Sequence, residues 1–74
     1  MQDFLTFLIS PLLTQPENLT IKLAPSVATV HISPEDMGRV IGKHGIIISA
    51  LRQMLRVYCV THQQPIVTLT LAEE

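Results

Sequence analysis

Gly42-Lys43-His44-Gly45 is the stretch in which residue type and spacing come closest to chemistry. Glycine takes positive φ at little cost and presents no Cβ, so at Gly42 and Gly45 the chain can turn sharply and admit a flat or charged ligand onto the main chain. Lys43 and His44 stand between them as the exposed middle. That combination suits an anion, and two familiar phosphate loops fail on spacing. A Walker A loop has four residues between its first glycine and a Gly-Lys pair, then Ser or Thr for magnesium. Here three residues separate Gly38 from Gly42, and His44 follows Lys43. A dinucleotide fingerprint has Gly-x-Gly-x-x-Gly after a strand, whereas this loop follows a helical pattern. What remains is a Gly-x-x-Gly turn between two helices. The second helix brings its unpaired N–H groups and partial positive charge to the same place.

Charge distribution supports a nucleic-acid backbone as the ligand. The 74 residues carry five Lys and Arg against six Asp and Glu, a net charge of -1. Arg39, Lys43, Arg52 and Arg56 all fall between Met37 and Pro65, a segment without an acid. The acids lie at Asp3, Glu17, Glu35, Asp36, Glu73 and Glu74. A near-neutral protein can therefore carry one positive face. Arg39 is nearest the loop and is the best of the three arginines as a further phosphate contact. With 4% aromatic residues there is little ring surface for stacking bases.

Catalysis has no constellation to rest on. His31 and His62 stand without a Ser, Cys or carboxylate in a nucleophile or zinc pattern. The single cysteine, Cys59, has no disulfide partner and sits in an apolar run, so helix packing is its expected role. No enzyme, cofactor or metal is expected. Phe4 to Leu13 is apolar but too short to span a bilayer, and Asp3 rather than a basic region precedes it. A cytoplasmic protein is expected, with residues 1–74 forming one domain.

The elements that must position the loop follow from hydrophobic period. Leu5, Leu8, Ile9 and Leu12 have helical spacing within Asp3–Leu13, with Pro11 forcing either a kink or a new turn capped by Ser10. Gln15 to Asn18 reads as the exit turn. Leu19, Ile21 and Leu23 alternate with polar residues, as do Ala28, Val30 and Ile32, so two strands joined by a short break form an antiparallel pair. Ser33-Pro34-Glu35-Asp36 starts a helix with a hydroxyl cap, a proline and two acids toward the helix dipole. Met37, Val40 and Ile41 give it an apolar side before Gly42. A longer helix runs from Gly45 or Ile46 to about Val60, and Val67, Leu69 and Leu71 make a third strand. The order α-β-β-α-α-β gives an α+β, two-layer domain, a three-stranded sheet covered by helices.

The long helix has two apolar stripes. Ile48, Leu51, Leu55 and Tyr58 make one, and Ile47, Ala50, Met54 and Val57 the other, with Ser49, Arg52, Gln53 and Arg56 as the polar remainder. Two readings of the second stripe stand side by side. Either the N-terminal helix covers it, or Ile46, Ile47 and their neighbours stay exposed as a dimer contact.

Val40-Ile41-Gly42-Lys43-His44-Gly45, followed by Ile48 and Leu51 at matching apolar positions, resembles the KH domain. The element order resembles its type II form. Ser10-Pro11-Leu12-Leu13, Gln15-Pro16, Leu19-Thr20-Ile21-Lys22 and the chain length resemble the KhpA family of small bacterial single-KH proteins. The resemblance implies that Gly42, Lys43, His44 and Gly45 clamp the backbone of about four nucleotides of single-stranded RNA. It also implies self-association and pairing with a larger KH-containing protein of the KhpB, Jag or EloR kind. Where the family pattern has Arg or Lys and then Thr after the second glycine, this chain has Ile46 and Ile47. That departure motivates a second reading, an interaction module acting mainly by homo- or heterodimerisation with weak RNA binding.

Overall fold

A computed structural model describes residues 1–73; Glu74, the end of the acidic tail, lies outside the described residues. Three helices, α1 (Gln2–Ile9), α2 (Met37–Ile41) and α3 (Ile46–Thr61), pack on one sheet of β1 (Thr20–Leu23), β2 (Val27–Ile32) and β3 (Thr68–Glu73). The strand order is β1-β2-β3, antiparallel between the first two and parallel between β2 and β3. This is the α+β architecture expected, and its element order is the type II one that the resemblance implies.

Local chemistry explains most boundaries. The Ser10 N–H still donates to the Thr6 carbonyl, but Pro11 has no N–H to continue the helix. The chain tightens into a 3-10 turn over Ser10–Leu12, closed by Leu13 N–H to Ser10 O at 3.1 Å. Of the two outcomes expected at Pro11, a kink or a new turn capped by Ser10, a new turn forms: α1 stops at Ile9, and no side chain caps the turn. A second 3-10 turn, Pro16–Asn18, forms the expected exit. In the hairpin, Ala24 N–H donates to Val27 O at 2.8 Å, setting Ile21 against Val30 and Leu23 against Ala28.

Ala28, Val30 and Ile32 are fully buried, as their alternation requires. In β1 only Ile21 is buried; Leu23, expected on the same face, is exposed at the hairpin end. The core joins these strands to Leu5 and Ile9 of α1, Val40 of α2, Ile48, Leu51, Leu55 and Cys59 of α3, and Leu69 of β3. Each such aliphatic side chain contributes about 1.5–3 kcal/mol by leaving water. Arg52 Nε donates to the Leu69 carbonyl at 3.2 Å and ties α3 to β3. Among the described residues no helix is long and apolar enough to cross a membrane.

The start of α2 departs from expectation. Pro34–Asp36 is a 3-10 turn ahead of the α-helix proper, and the Ser33 hydroxyl donates to the Glu35 carboxylate rather than capping a backbone N–H. Asp36 is buried completely. The second stripe of α3 is only partly covered. Ile47 packs against the core, while Ala50, Met54 and Val57 remain exposed. The N-terminal helix meets α3 through contacts such as Phe4 on Tyr58, stacked at 4.4 Å between ring centroids.

Candidate nucleic-acid interface

The turn between α2 and α3 is a short, strongly constrained loop. Gly42 ends α2 with φ 76° and ψ 173°, its N–H donating to Gly38 O at 2.9 Å. Gly45 precedes α3 in the left-handed region, φ 74° and ψ 16°, its N–H donating to Gly42 O at 3.1 Å. His44 shares that region at φ 57° and ψ 24°. For a residue with a Cβ this costs about 1–2 kcal/mol, so the loop holds His44 in a conformation its side chain disfavours.

The two glycines are required to different degrees. A Cβ on Gly42 would lie 2.6 Å from Cγ1 of Ile47 and 2.9 Å from its Cβ, so the Ile47 side chain occupies the space beneath this residue. At Gly45 the nearest atom to such a Cβ is Ile48 Cγ2 at 3.9 Å, ordinary contact, and only φ favours glycine. Ile47 is half-buried and acts as a wedge under the loop, whereas Ile46 is 67% exposed beside it. The two isoleucines expected to share a contact surface therefore have different environments.

The amides of Lys43 and His44 donate to no backbone carbonyl among the described residues, while those of Gly42, Gly45 and Ile46 do. Two successive free N–H groups in a turn with positive φ form a concavity suited to an anionic oxygen. Lys43 and His44 are both exposed above them. A groove of about 700 Å³ runs from the loop along α3, lined by Lys43, His44, Gly45, Ile46, Ser49 and Ala50, with Gln53 at its far end.

Beneath α2 lies the feature that sequence reasoning missed. The Asp36 carboxylate accepts from the Thr14 hydroxyl at 2.7 Å, the Thr14 N–H at 3.0 Å and the Gln15 N–H at 3.1 Å. The Thr14 hydroxyl bond does most to hold its pKa below the usual carboxylate value; burial opposes it, and the two backbone amides and Arg39 reinforce the lowering. Arg39, 60% exposed, brings Nε to 3.8 Å from Oδ1 of Asp36. The segment after α1 is thereby clasped to the first turn before the loop. Neither Asp36 nor Ile47 carries a local signal for its role, since their partners lie elsewhere in the chain.

Arg39 is exposed on the turn of α2 before the loop, whereas Arg52 is partly engaged with β3. His62 is exposed, stacked on Tyr58 at 4.1 Å, far from any nucleophile pattern. No group of three or more His, Cys, Asp or Glu among the described residues could hold a metal ion.

Comparison with known proteins places this geometry in context. The profile described as KhpA/KhpB, KH domain, matches residues 2–70. Among curated proteins, the RNA-binding protein KhpA of Chlamydia caviae is 36% identical over 59 residues, covering 74% of this chain and 76% of that protein. Its namesake from Streptococcus pneumoniae serotype 4 is 36% identical over 59 residues, 74% of this chain and 75% of its own. That of Treponema pallidum is 31% identical over 58 residues, covering 73% and 72%. No solved structure gives a significant match.

Proposed function

We propose that this chain, which belongs to the KhpA/KhpB family of KH domains, binds single-stranded RNA without catalysis, clamping its backbone on Gly42-Lys43-His44-Gly45. One observation carries the reading: two adjacent amides, Lys43 and His44, are left without backbone acceptors in a positive-φ turn whose side chains are basic and exposed. A phosphate oxygen received there meets N–H donors that need no rearrangement. Lys43 adds charge above it, and Arg39 stands on the preceding turn. The bases then lie along the groove whose apolar wall includes Ile46 and Ala50.

Gly42 is a poor place to test this, because any side chain there collides with Ile47. The informative variant is Lys43→Asp with His44→Asp, which keeps both glycines and changes only exposed positions. Its binding to a single-stranded RNA of mixed sequence, followed by fluorescence anisotropy, should be lost while circular dichroism stays that of the parent. Unchanged affinity would sink the reading. For the parent, a shallow salt dependence is expected, about 0.7 in log–log slope for each phosphate contacted.

A second reading, association through α3, is favoured by a specific surface. Ile46, Met54, Val57 and Val60 are large apolar residues left exposed on the side of α3 away from the core. Pairing with another copy, or with the corresponding helix of a KhpB-like chain, would bury them. Val57→Asp is the test: sedimentation should show it monomeric where the parent is dimeric, and a parent that stays monomeric at high concentration would refute self-association.

A further inference from the structure

We infer that the phosphate-binding surface does not end at the loop but continues along one flank of α3, where Arg56, beside Ser49 and Arg52, forms a second subsite for the phosphodiester backbone of the same strand. This rests on the reading that the loop binds RNA. Ser49, Arg52 and Arg56 follow one another at intervals of three and four residues, which puts them on a single face of the helix. A second groove of about 330 Å³ is lined by these three with Gln53 and Val57, and it shares Ser49 and Gln53 with the groove that starts at Lys43. The two are therefore parts of one surface path from the loop along α3.

The charges on that path lack counterions among the described residues. Among the described residues the one ion pair is Arg39 with Asp36, and neither Arg52 nor Arg56 meets a carboxylate. No Asp or Glu occurs from Met37 to Ala72. Like charges four residues apart on a helix repel each other, and an anion set between the two guanidinium groups removes that cost. Arg52 is pre-oriented for it. Its Nε is held by the Leu69 carbonyl, no described residue bonds its terminal nitrogens, and a guanidinium fork pairs well with a phosphate. At about 1.5 Å of rise per residue, Arg56 lies about 15 Å along the axis from the start of α3. The roughly four nucleotides a KH loop holds are taken up at the loop itself, so a longer strand is needed to engage Arg56 as well.

The experiment compares mixed-sequence RNAs of about four and about twelve nucleotides on the parent, Arg56→Glu and the Lys43→Asp, His44→Asp double variant. Glutamate is a good helix former and Arg56 is exposed, so circular dichroism should match the parent. The parent should prefer the longer strand. Arg56→Glu should shrink that preference on the order of tenfold and lower the salt slope for the longer strand by about 0.7 for each phosphate no longer neutralised. A ratio of affinities equal to the parent's, whether both strands weaken together or neither does, overturns the second subsite and leaves the loop reading standing. If the double variant still binds the short strand, the loop reading fails instead. No binding of either strand by the parent overturns both.

Discussion

Along α3, Ile48, Leu51, Leu55 and Cys59 are at most 7% exposed, while Ile46, Met54, Val57 and Val60, one face round, are 43% to 67% exposed. The two sets are equally apolar and belong to one helix, so composition does not decide which is buried. What decides it is which face the other elements cover. The sheet and α1 pack on the inner face, and the described residues leave the outer one exposed. The inner stripe thus serves stability and the outer one is left exposed, with the proposed anion-binding loop at the start of both.

Core truncation should break this comparison most sharply if it is wrong. Leu55→Ala is expected to cost about 2–5 kcal/mol in urea unfolding, whereas Val57→Ala should stay within about 0.5 kcal/mol for a monomer. Equal costs would mean that the outer face is covered. The two glycines provide the next contrast. Gly42→Ala must displace Ile47 and force φ 76° with ψ 173° on a residue with a side chain, about 3 kcal/mol from overpacking and strain together. Gly45→Ala meets only the left-handed penalty, about 1 kcal/mol. Trimming the wedge, Ile47→Ala, should recover part of the Gly42→Ala loss in a double-mutant cycle, and strict additivity would show the two residues to be independent. Relief of strain should be a smaller effect of opposite sign: His44→Gly is expected to raise stability by about 1 kcal/mol in the same assay. A fall in stability would mean that the His44 side chain makes contacts worth more than its backbone strain.

Asp36 supplies the narrowest effect, confined to acid. Its folded pKa lies below the ordinary 3.8. Above pH 3.8 the carboxylate is ionised whether folded or unfolded, and its contribution to stability is fully present. As pH falls below 3.8 the unfolded chain takes up the proton first, so that contribution shrinks until the folded value is passed. Thermal unfolding of Asp36→Asn should therefore start lower at neutral pH and fall less steeply than the parent below pH 3.8. Parallel curves for the two proteins would show that the clasp does not depend on ionisation.

Much of the arrangement is legible because its signals are local. Alternation at Ala28, Val30 and Ile32, a proline at Pro11 and paired glycines at Gly42 and Gly45 act within a few residues, and the element order and the loop follow from them. Leu23 misleads because alternation indicates a face but not how far the cover extends. Ser33 misleads because its hydroxyl donates to the Glu35 carboxylate and accepts no backbone N–H, so it does not cap the turn. Local pattern makes Asp36 an acid aligned with a dipole and Ile47 a contact residue. Their actual roles depend on Thr14, 22 positions away from Asp36, and on the space under Gly42. Three-dimensional proximity supplies those roles, and no period in the sequence encodes it.

The parallel pairing of β2 with β3 has a consequence for the order of events during synthesis. Parallel neighbours need a crossover, and here the crossover is α2, the Gly-x-x-Gly turn and α3. The ribosome therefore delivers the whole Gly-x-x-Gly loop before the strand that holds α3 through Arg52 and Leu69. Contacts so distant in sequence close late, and a nascent chain carries its loop on an unfinished sheet. A complete sheet behind that loop therefore has to wait for the emergence of β3.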